Sequence, residues 1–467
     1  MKFNRFRLLF FLSAIILLSS CLGTTTVTTT SIDPSFVSLV FKVNDSIPAL
    51  SGAVFTLTDN TIVNLDSLPF KTRIDSVYPT YTFISTAGAK FYFPVSGYKY
   101  NKDSAVVTGT DTIDYRQPVR IRNWAADAKT YKDYYTQVNV HHVDPEKYIW
   151  SKVTDNLNSI NASSQKTVIL NDTLFYYLND GTNAYLYTSL DGYNWNQSTV
   201  KGLPVNTPLT DMMQFNGKLY LTHDGSNIYT SADGFNWTKK SVNAYTFNSL
   251  LYVLNGQLWA VVQSNGSNYF AISNTGDFLD TDITTGTIPV NFPVSDFASV
   301  TYQSSTGKPK VLVSGGYSST GERLKNSWGS EDGVYWVDFS NGSYSLNSHT
   351  LDTLAVGASI IAYDSKLFVF GMRTDNGGNL YKVSIDEGLS WQNPDTTHNF
   401  FPANYIPRSY QSAVVFMPSN LKGAQTIDKK AQILQSNRIF IVGGKAWETS
   451  FSDVWTGKLN RKSFLRQ

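Results

Sequence analysis

From about Tyr148 onward, apolar and polar positions along the chain repeat as one scheme: an apolar run, a tight turn, then Leu or Ile followed by an aromatic. Leu170-Asn171-Asp172-Thr173-Leu174-Phe175 is the first copy, and Phe215-Asn216-Gly217-Lys218-Leu219-Tyr220 and Leu254-Asn255-Gly256-Gln257-Leu258-Trp259 follow. Tyr363-Asp364-Ser365-Lys366-Leu367-Phe368 and Gln435-Ser436-Asn437-Arg438-Ile439-Phe440 repeat it, with a looser copy at Gly307-Lys308-Pro309-Lys310-Val311-Leu312. Asn-Gly pairs supply the positive φ angles that a two-residue hairpin turn needs. Each copy is followed by a second hairpin: Ser189-Leu190-Asp191-Gly192-Tyr193-Asn194-Trp195, Ser231-Ala232-Asp233-Gly234-Phe235-Asn236-Trp237 and Ser330-Glu331-Asp332-Gly333-Val334-Tyr335-Trp336. Ser384-Ile385-Asp386-Glu387-Gly388-Leu389-Ser390-Trp391 carries one extra residue, and Ser273-Asn274-Thr275-Gly276-Asp277-Phe278 is a degraded copy. A pitch of roughly 40 to 50 residues per copy is that of a propeller blade. The pattern predicts six blades over residues 146–467, each a small sheet with few exposed edges.

Upstream, the period shortens to two. Tyr134, Thr136, Val138 and Val140 alternate with Tyr135, Gln137 and Asn139, as in a half-buried strand, and Pro118 to Trp124 reads as its partner. Residues 34–145 are therefore expected to form a small β-sandwich-like domain that ends at Val143-Asp144-Pro145-Glu146, so the fold class is all-β. The composition agrees: 28 Tyr, 28 Phe and 10 Trp in 467 residues suit pleated, half-buried surfaces.

The N-terminus has a different character. Lys2, Arg5 and Arg7 precede an apolar run from Leu8 to Leu18 that is shorter than the roughly 20 residues of a membrane span, as in the core of a signal peptide. Leu18-Ser19-Ser20-Cys21 resembles a bacterial lipobox, which implies cleavage before Cys21, the only cysteine, and its diacylation. Residues 1–20 then form a lipoprotein signal peptide, and 21–33 a Thr-rich tether of low complexity. The partner implied is a membrane, reached through lipidated Cys21, and the location a bacterial cell envelope, at the outer membrane, with the facing left open. With one thiol no intramolecular disulfide can form, so stability falls to core burial.

Charge excludes one class of partner. The chain has 38 Lys and Arg against 36 Asp and Glu, and loss of the leader's three cations leaves the two signs nearly equal. No basic stripe is left to neutralise phosphates, so nucleic acid is not an expected ligand.

The second hairpin resembles the Asp-box of sialidases and related propellers. Its Asp accepts hydrogen bonds from N–H groups of its own turn, its Gly takes a conformation other residues avoid, and its Trp covers the hairpin base. The resemblance implies a structural role away from any active site for Asp191, Gly192, Trp195, Asp233, Gly234, Trp237, Asp332, Gly333, Trp336, Asp386, Gly388 and Trp391. Gly315-Gly316 and Gly443-Gly444, the latter followed by Ser452-Asp453-Val454-Trp455, resemble kelch blades, whose copper-using members need a Cys ligand that this chain lacks beyond Cys21. On Asp66-Ser67-Leu68-Pro69-Phe70, Asp111-Thr112-Ile113-Asp114-Tyr115, Val138 to Pro145 and Asp453 to Asn460, the mature chain resembles uncharacterised Bacteroidetes lipoproteins with a small β domain and a six-bladed propeller.

Catalytic sets are not assembled by the sequence. A sialidase needs three arginines, but those after Trp150 are Arg323, Arg373, Arg408, Arg438, Arg461 and Arg466, and Ile406-Pro407-Arg408 has the family's residue types in the wrong order and blade. His141-His142-x-Asp144 sets two imidazoles on opposite sides of a strand, so no metal site is assigned. His223-Asp224 follows a strand of blade two, where the propeller mouth and a loop surface are both open to it, and the loop surface is the expected location. No phosphate loop, nucleotide fingerprint, nucleophile elbow or zinc signature occurs, and no cofactor is expected. The reading is a non-catalytic binding or scaffolding protein whose ligand is a carbohydrate or a protein, with Tyr317, Trp328 and Trp447 as ligand-facing aromatics. The alternative is a glycoside hydrolase or lyase whose carboxylates meet at the propeller centre.

Overall fold

The computed structural model describes residues 30–460 apart from 43–44, 94–103, 106–110, 143, 145, 243, 341–355, 374–375, 400 and 418–436. Cys21 and most of the tether lie outside the described residues. The chain divides into two compact units, with Val143 and Asp144 at the division.

The first unit is built on two sheets. Phe36–Phe41 pairs with Pro79–Phe83, and a six-stranded sheet runs in the order Thr56–Thr58, Thr61–Val63, Tyr131–Gln137, Val119–Trp124, Gly88–Tyr92, Ser104–Ala105. The expected pairing of Val119–Trp124 with Tyr131–Gln137 is present and antiparallel. Thr61–Val63, however, joins Tyr131–Gln137 in parallel, a crossover that alternation alone does not announce. Alternation does select the core: Tyr134 and Thr136 are buried and Tyr135 and Gln137 exposed. Leu39, Phe41, Ile62, Phe91, Ile121 and Tyr134 share one apolar cluster, within which the Tyr81 hydroxyl bonds Tyr115 and Thr136 at 2.9 Å each.

The second unit is a six-bladed propeller. Blade 1 is Ser164–Leu170, Thr173–Asn179, Ala184–Ser189 and Asn196–Ser198, and blade 2 is Met213–Phe215, Lys218–His223, Asn227–Ser231 and Thr238–Ser241. Blade 3 is Thr246–Leu254, Gln257–Ser264, Ser267–Ser273 and Ile283–Thr287, and blade 4 is Ala298–Gln303, Pro309–Ser314, Ser327–Ser330 and Val337–Asp338. Blade 5 has three described strands, Ser359–Tyr363, Lys366–Met372 and Asn379–Ser384. Blade 6 takes Ser412–Phe416, Arg438–Ala446 and Thr449–Leu459, and borrows its outermost strand, Tyr148–Thr154, from the start of the unit. That exchange closes the ring.

The turn chemistry works as the sequence indicates. Asn171-Asp172, Asn216-Gly217, Asn255-Gly256 and Asp364-Ser365 all hold both residues at positive φ, the two-residue hairpin conformation. Blade 6 differs. Its copy of the motif sets the turn at Ser436-Asn437, of which Ser436 lies outside the described residues, and Arg438 pairs with Phe416.

The two repeated hairpins interlock between neighbouring blades. A methyl built on Gly234 of blade 2 would lie 2.3 Å from Phe175 of blade 1, and one on Gly333 of blade 4 would lie 2.7 Å from Trp259 of blade 3. Gly276 meets Tyr220, Gly388 meets Leu312, and Gly192 of blade 1 meets Phe440 of blade 6, so the contact recurs at five of the six blade junctions. The side chain that ends the first motif, an aromatic at four of these junctions and Leu312 at the fifth, thus seats on the glycine of the next blade's second motif.

A packing test follows. Gly234→Ala adds a methyl against Phe175 as well as backbone strain at φ +79, whereas Gly217→Ala at φ +71 meets nothing within 4 Å. We expect a loss of about 1 kcal/mol for Gly217→Ala from left-handed strain and about 1–3 kcal/mol more for Gly234→Ala from overpacking, read from urea midpoints. Equal midpoints for the two variants would refute the interlock.

Candidate functional site

Antiparallel strands put successive turns at opposite ends of a blade. The turns between third and fourth strands, which carry Asp191, Asp233, Asp332 and Asp386, therefore share one end of the propeller with the first-to-second hairpins. There the aspartates are structural acceptors. Asp233 Oδ1 accepts the N–H groups of Phe235 and Asn236 at 2.8 Å each, its Oδ2 accepts Asn236 Nδ2 at 2.8 Å, and Ser231 Oγ accepts Gly234 N–H at 2.9 Å. Asp191, Asp332 and Asp386 are held in the same manner. The Asn236 N–H, first among these donors, holds the Asp233 carboxyl well below its usual range. The indoles of Trp195 and Trp336 donate to the carbonyls of Gly192 and Gly333 at 3.1 and 2.8 Å, while Trp237 and Trp391 are buried.

At the opposite end lies a cavity of about 430 Å³ on the propeller axis, within the range of small-molecule sites. All six blades contribute to its wall, through Lys166, Asp211, Ser249, Asp296, Ser359 and Ser412 among others. None of the four turn aspartates lines it. The wall hydroxyls tie blades together: Ser249 donates to the Val294 carbonyl at 2.8 Å, Ser299 to Leu251 at 2.7 Å and Ser359 to Gln411 at 2.5 Å, while Ser412 Oγ accepts Thr167 N–H at 2.7 Å.

Three carboxylates and two basic groups give the cavity its electrostatics. Asp211 Oδ2 accepts the Thr222 hydroxyl at 2.5 Å and the Leu250 N–H at 3.1 Å. Burial outweighs these donors and the nearby Lys166 charge, pushing the Asp211 carboxyl up to about 6. Burial likewise lowers Lys166, against the opposing pull of Asp211, and its ammonium donates to the Thr210 carbonyl at 2.8 Å. Asp296 is raised by burial alone. His223 lies in the wall, not on the loop surface expected for it, with Nε2 2.7 Å from Asp224 and Nδ1 against the Thr207 hydroxyl. Thr207 is 1% exposed, so this Thr-His-Asp line presents no nucleophile to the cavity.

The aromatics singled out by the sequence fall in different places. Trp328 is corrected from a ligand-facing to a core position: it is 6% exposed, packs on Phe292 and donates its indole N–H to the Asn291 carbonyl, because it sits in a third strand whose side faces blade 3. Tyr317 is half-buried in the connection between second and third strands of blade 4, bonded through its backbone to Val294 and Ser295. Trp447 is 72% exposed at the corresponding turn of blade 6 with φ +54. Both turns are at the cavity end. Arg408 of the Ile-Pro-Arg segment is 1% exposed and committed to Asp453, with its guanidinium 4.0 Å from the Phe451 ring centroid. A methyl on Gly444 would lie 2.5 Å from its Cδ, so the double glycine makes room for this arginine. Asp144, from the His-His-x-Asp segment, faces His398 Nε2 at 3.3 Å.

Residues 144–467 match the DUF6242 beta propeller domain, and residues 24–138 match the N-terminal domain of the same family, a domain of unknown function. The chain belongs to the DUF6242 family. No curated protein matches it. Among solved structures, this DUF6242 member is similar to YjhT at 14% identity, covering 64% of this chain and 95% of that one with a TM-score of 0.37. It is also similar to an endo-arabinase from Bacteroides thetaiotaomicron, at 15% identity, 63% and 93% coverage and a TM-score of 0.29, and to YCF48 bound to D1 peptide, at 15%, 74% and 90%, and 0.31.

Asp211, Lys166 and Asp296 were not found from the sequence. The available signal is positional: Asp211 and Asp296 each lie two residues before an innermost strand and follow a hydroxyl residue, Thr210 or Ser295, a correspondence visible once the blades are aligned on that strand.

Asp211 makes a pH prediction. Its folded-state pKa of about 6 exceeds the unfolded value of about 3.9. Between these values the folded state keeps a proton that the unfolded chain has released, so stability falls as pH rises from about 4 to 6 and is flat above. Asp211→Asn should abolish this slope, on the order of 3 kcal/mol, while leaving the acid limb set by the turn aspartates. Parallel melting-temperature profiles for the two proteins between pH 4 and 6 would contradict the assignment.

Proposed function

We propose that this protein is a lipid-anchored envelope protein that binds a carbohydrate, without turnover, in the axial cavity at the end opposite the Asp-box turns. The observation that carries the reading is the cavity wall. Ser249, Ser299 and Ser359 give their hydroxyl hydrogens to inter-blade carbonyls, so toward the cavity they offer lone pairs, beside the carboxylates of Asp211, Asp224 and Asp296. An acceptor-rich wall suits a ligand rich in hydroxyl donors. Tyr317 and Trp447 lie on turns at the same end, where aromatic faces stack on sugar rings. The Asp-box aspartates, satisfied by their own turns, hold the scaffold.

A glycoside hydrolase is the second reading, favoured by one observation: a carboxyl near pKa 6 and a second raised carboxyl share the cavity. Against it, Asp211 spends Oδ2 on Thr222 and on the Leu250 backbone, where it joins blade 2 to blade 3.

The membrane tether rests on Leu18-Ser19-Ser20-Cys21. Two chains on one cysteine, at about 0.8 kcal/mol per buried methylene, suffice to anchor a soluble propeller.

Two measurements test these proposals. A glycan array probed with residues 30–467 should retain at least one oligosaccharide class, and chromogenic glycosides should stay intact; turnover that Asp211→Asn abolishes would establish the hydrolase instead. Metabolic labelling with a palmitate analogue should mark the wild-type protein and leave Cys21→Ala unlabelled and released from membranes. A Cys21→Ala protein that remains labelled and sediments with membranes would refute the anchor.

A further inference from the structure

Asp296 stands apart from the other charges of the cavity. Asp211 has two donors and a lysine within electrostatic reach, and Asp224 has His223. Among the described residues, the Asp296 carboxylate has no hydrogen bond and no ion pair, and burial is the one influence on its ionisation. An unpaired, half-buried carboxylate is costly. Here it opens onto the cavity, where a bound ligand could pair with it.

The backbone is also committed to this placement. Asp296 sits at φ +51, which Asp adopts readily, and Tyr410 at φ +58, which a bulky residue seldom adopts. The Asp296 carbonyl accepts Gly357 N–H at 3.0 Å, and the Gly357 carbonyl accepts Tyr410 N–H at 2.6 Å, so connections of blades 4, 5 and 6 fix the position together. Tyr410 is near enough that the Asp296 charge opposes its ionisation, and Phe297 lines the cavity beside it. The Arg323 charge also reaches Tyr410 but is not paired with Asp296, so a carboxylate beside aromatic rings is left to receive a cation. The cation already in the wall, Lys166, is engaged with Thr210 and within reach of Asp211.

We propose that Asp296 is the counter-ion for a protonated primary amine on the ligand, which makes that ligand an amino sugar. The inference rests on the carbohydrate reading of the cavity and narrows it. An ammonium group brings three donors and no acceptor, which complements Ser249, Ser299 and Ser359, whose hydrogens already go to inter-blade carbonyls. An N-acetylated or unsubstituted sugar would bring hydroxyl donors but leave the Asp296 charge unpaired.

The test is calorimetric titration of residues 30–467 with glucosamine, N-acetylglucosamine and glucose oligomers of equal length, repeated with Asp296→Asn. The amine form should bind about ten- to a hundredfold more tightly than the other two, as for a hydrogen bond to a charged partner. Asp296→Asn should erase that preference. Asn tolerates positive φ, so this variant should fold, with a melting temperature equal to or above the parent's once the unpaired charge is gone. The amine preference should also fade as pH rises and the ligand loses its proton. Equal affinity for the three oligomers, or an amine preference that survives in Asp296→Asn, would overturn the inference while leaving the carbohydrate reading intact. No binding by any oligomer would overturn both. A simple diamine that binds as tightly as the amino sugar and depends equally on Asp296 would overturn the assignment to a sugar.

Discussion

The propeller depends on a contact between neighbours that share no continuous strand ladder. Its six sheets are separate ladders, so what fixes the angle between blades is side-chain packing. Phe175 on Gly234, Trp259 on Gly333 and Phe440 on Gly192 do this with a large ring on a residue that has no side chain. The aspartate beside each glycine keeps the turn in the one shape that presents it, by taking up the N–H groups of the turn itself. Hydroxyl-to-carbonyl bonds at the axis, such as Ser249 to Val294 and Ser299 to Leu251, add the inner constraint. The borrowed strand Tyr148–Thr154 closes the last blade with backbone bonds, joining the beginning of the unit to its end.

This division explains what could be read in advance. Repeated local devices are legible because the residues that interact are near in sequence: Asn-Gly turns, Ser-x-Asp-Gly turns and the period-two alternation around Tyr134 all appear where their chemistry puts them. Blade 6 shows where that logic stops. A long connection between Phe416 and Arg438 replaces the tight turn, and the motif at Arg438-Ile439-Phe440 keeps its packing role while losing its hairpin. Phe440 still meets Gly192. The parallel pairing of Thr61–Val63 with Tyr131–Gln137 was hidden for a similar reason, since two strands far apart in sequence carry no signal of their register. Trp328 was misplaced because a tryptophan two residues before a turn looks the same in sequence whether it faces solvent or the next sheet.

The axial site is the least legible part, because its blades share only a hydroxyl-Asp pair ahead of two innermost strands, a signal too short to stand out before the blades are aligned. Lys166 comes from blade 1, Asp211 from the approach to blade 2 and Asp296 from the approach to blade 4. Each lies among ordinary residues, and only closure of the ring brings them to one cavity. The expectation that the propeller's repeated carboxylates are structural and the view that its centre could hold acids are therefore compatible: they concern different aspartates at different ends.

The same side chain is made to do opposite things at the two ends. At the turn end, Asp233 faces N–H donors and is held below the usual carboxylate range, a charge stabilised within its own loop. At the cavity end, Asp211 and Asp296 are raised by burial. Asp211 recovers part of the cost through Thr222 and Leu250 and so serves the joint between two blades. Asp296 recovers nothing from the protein. A fold whose blades are already locked by turns, rings and a shared strand can hold one carboxylate in that condition. Blades locked by contacts elsewhere leave this carboxylate free of a structural task, and an unpaired charge is what a ligand of opposite sign can use.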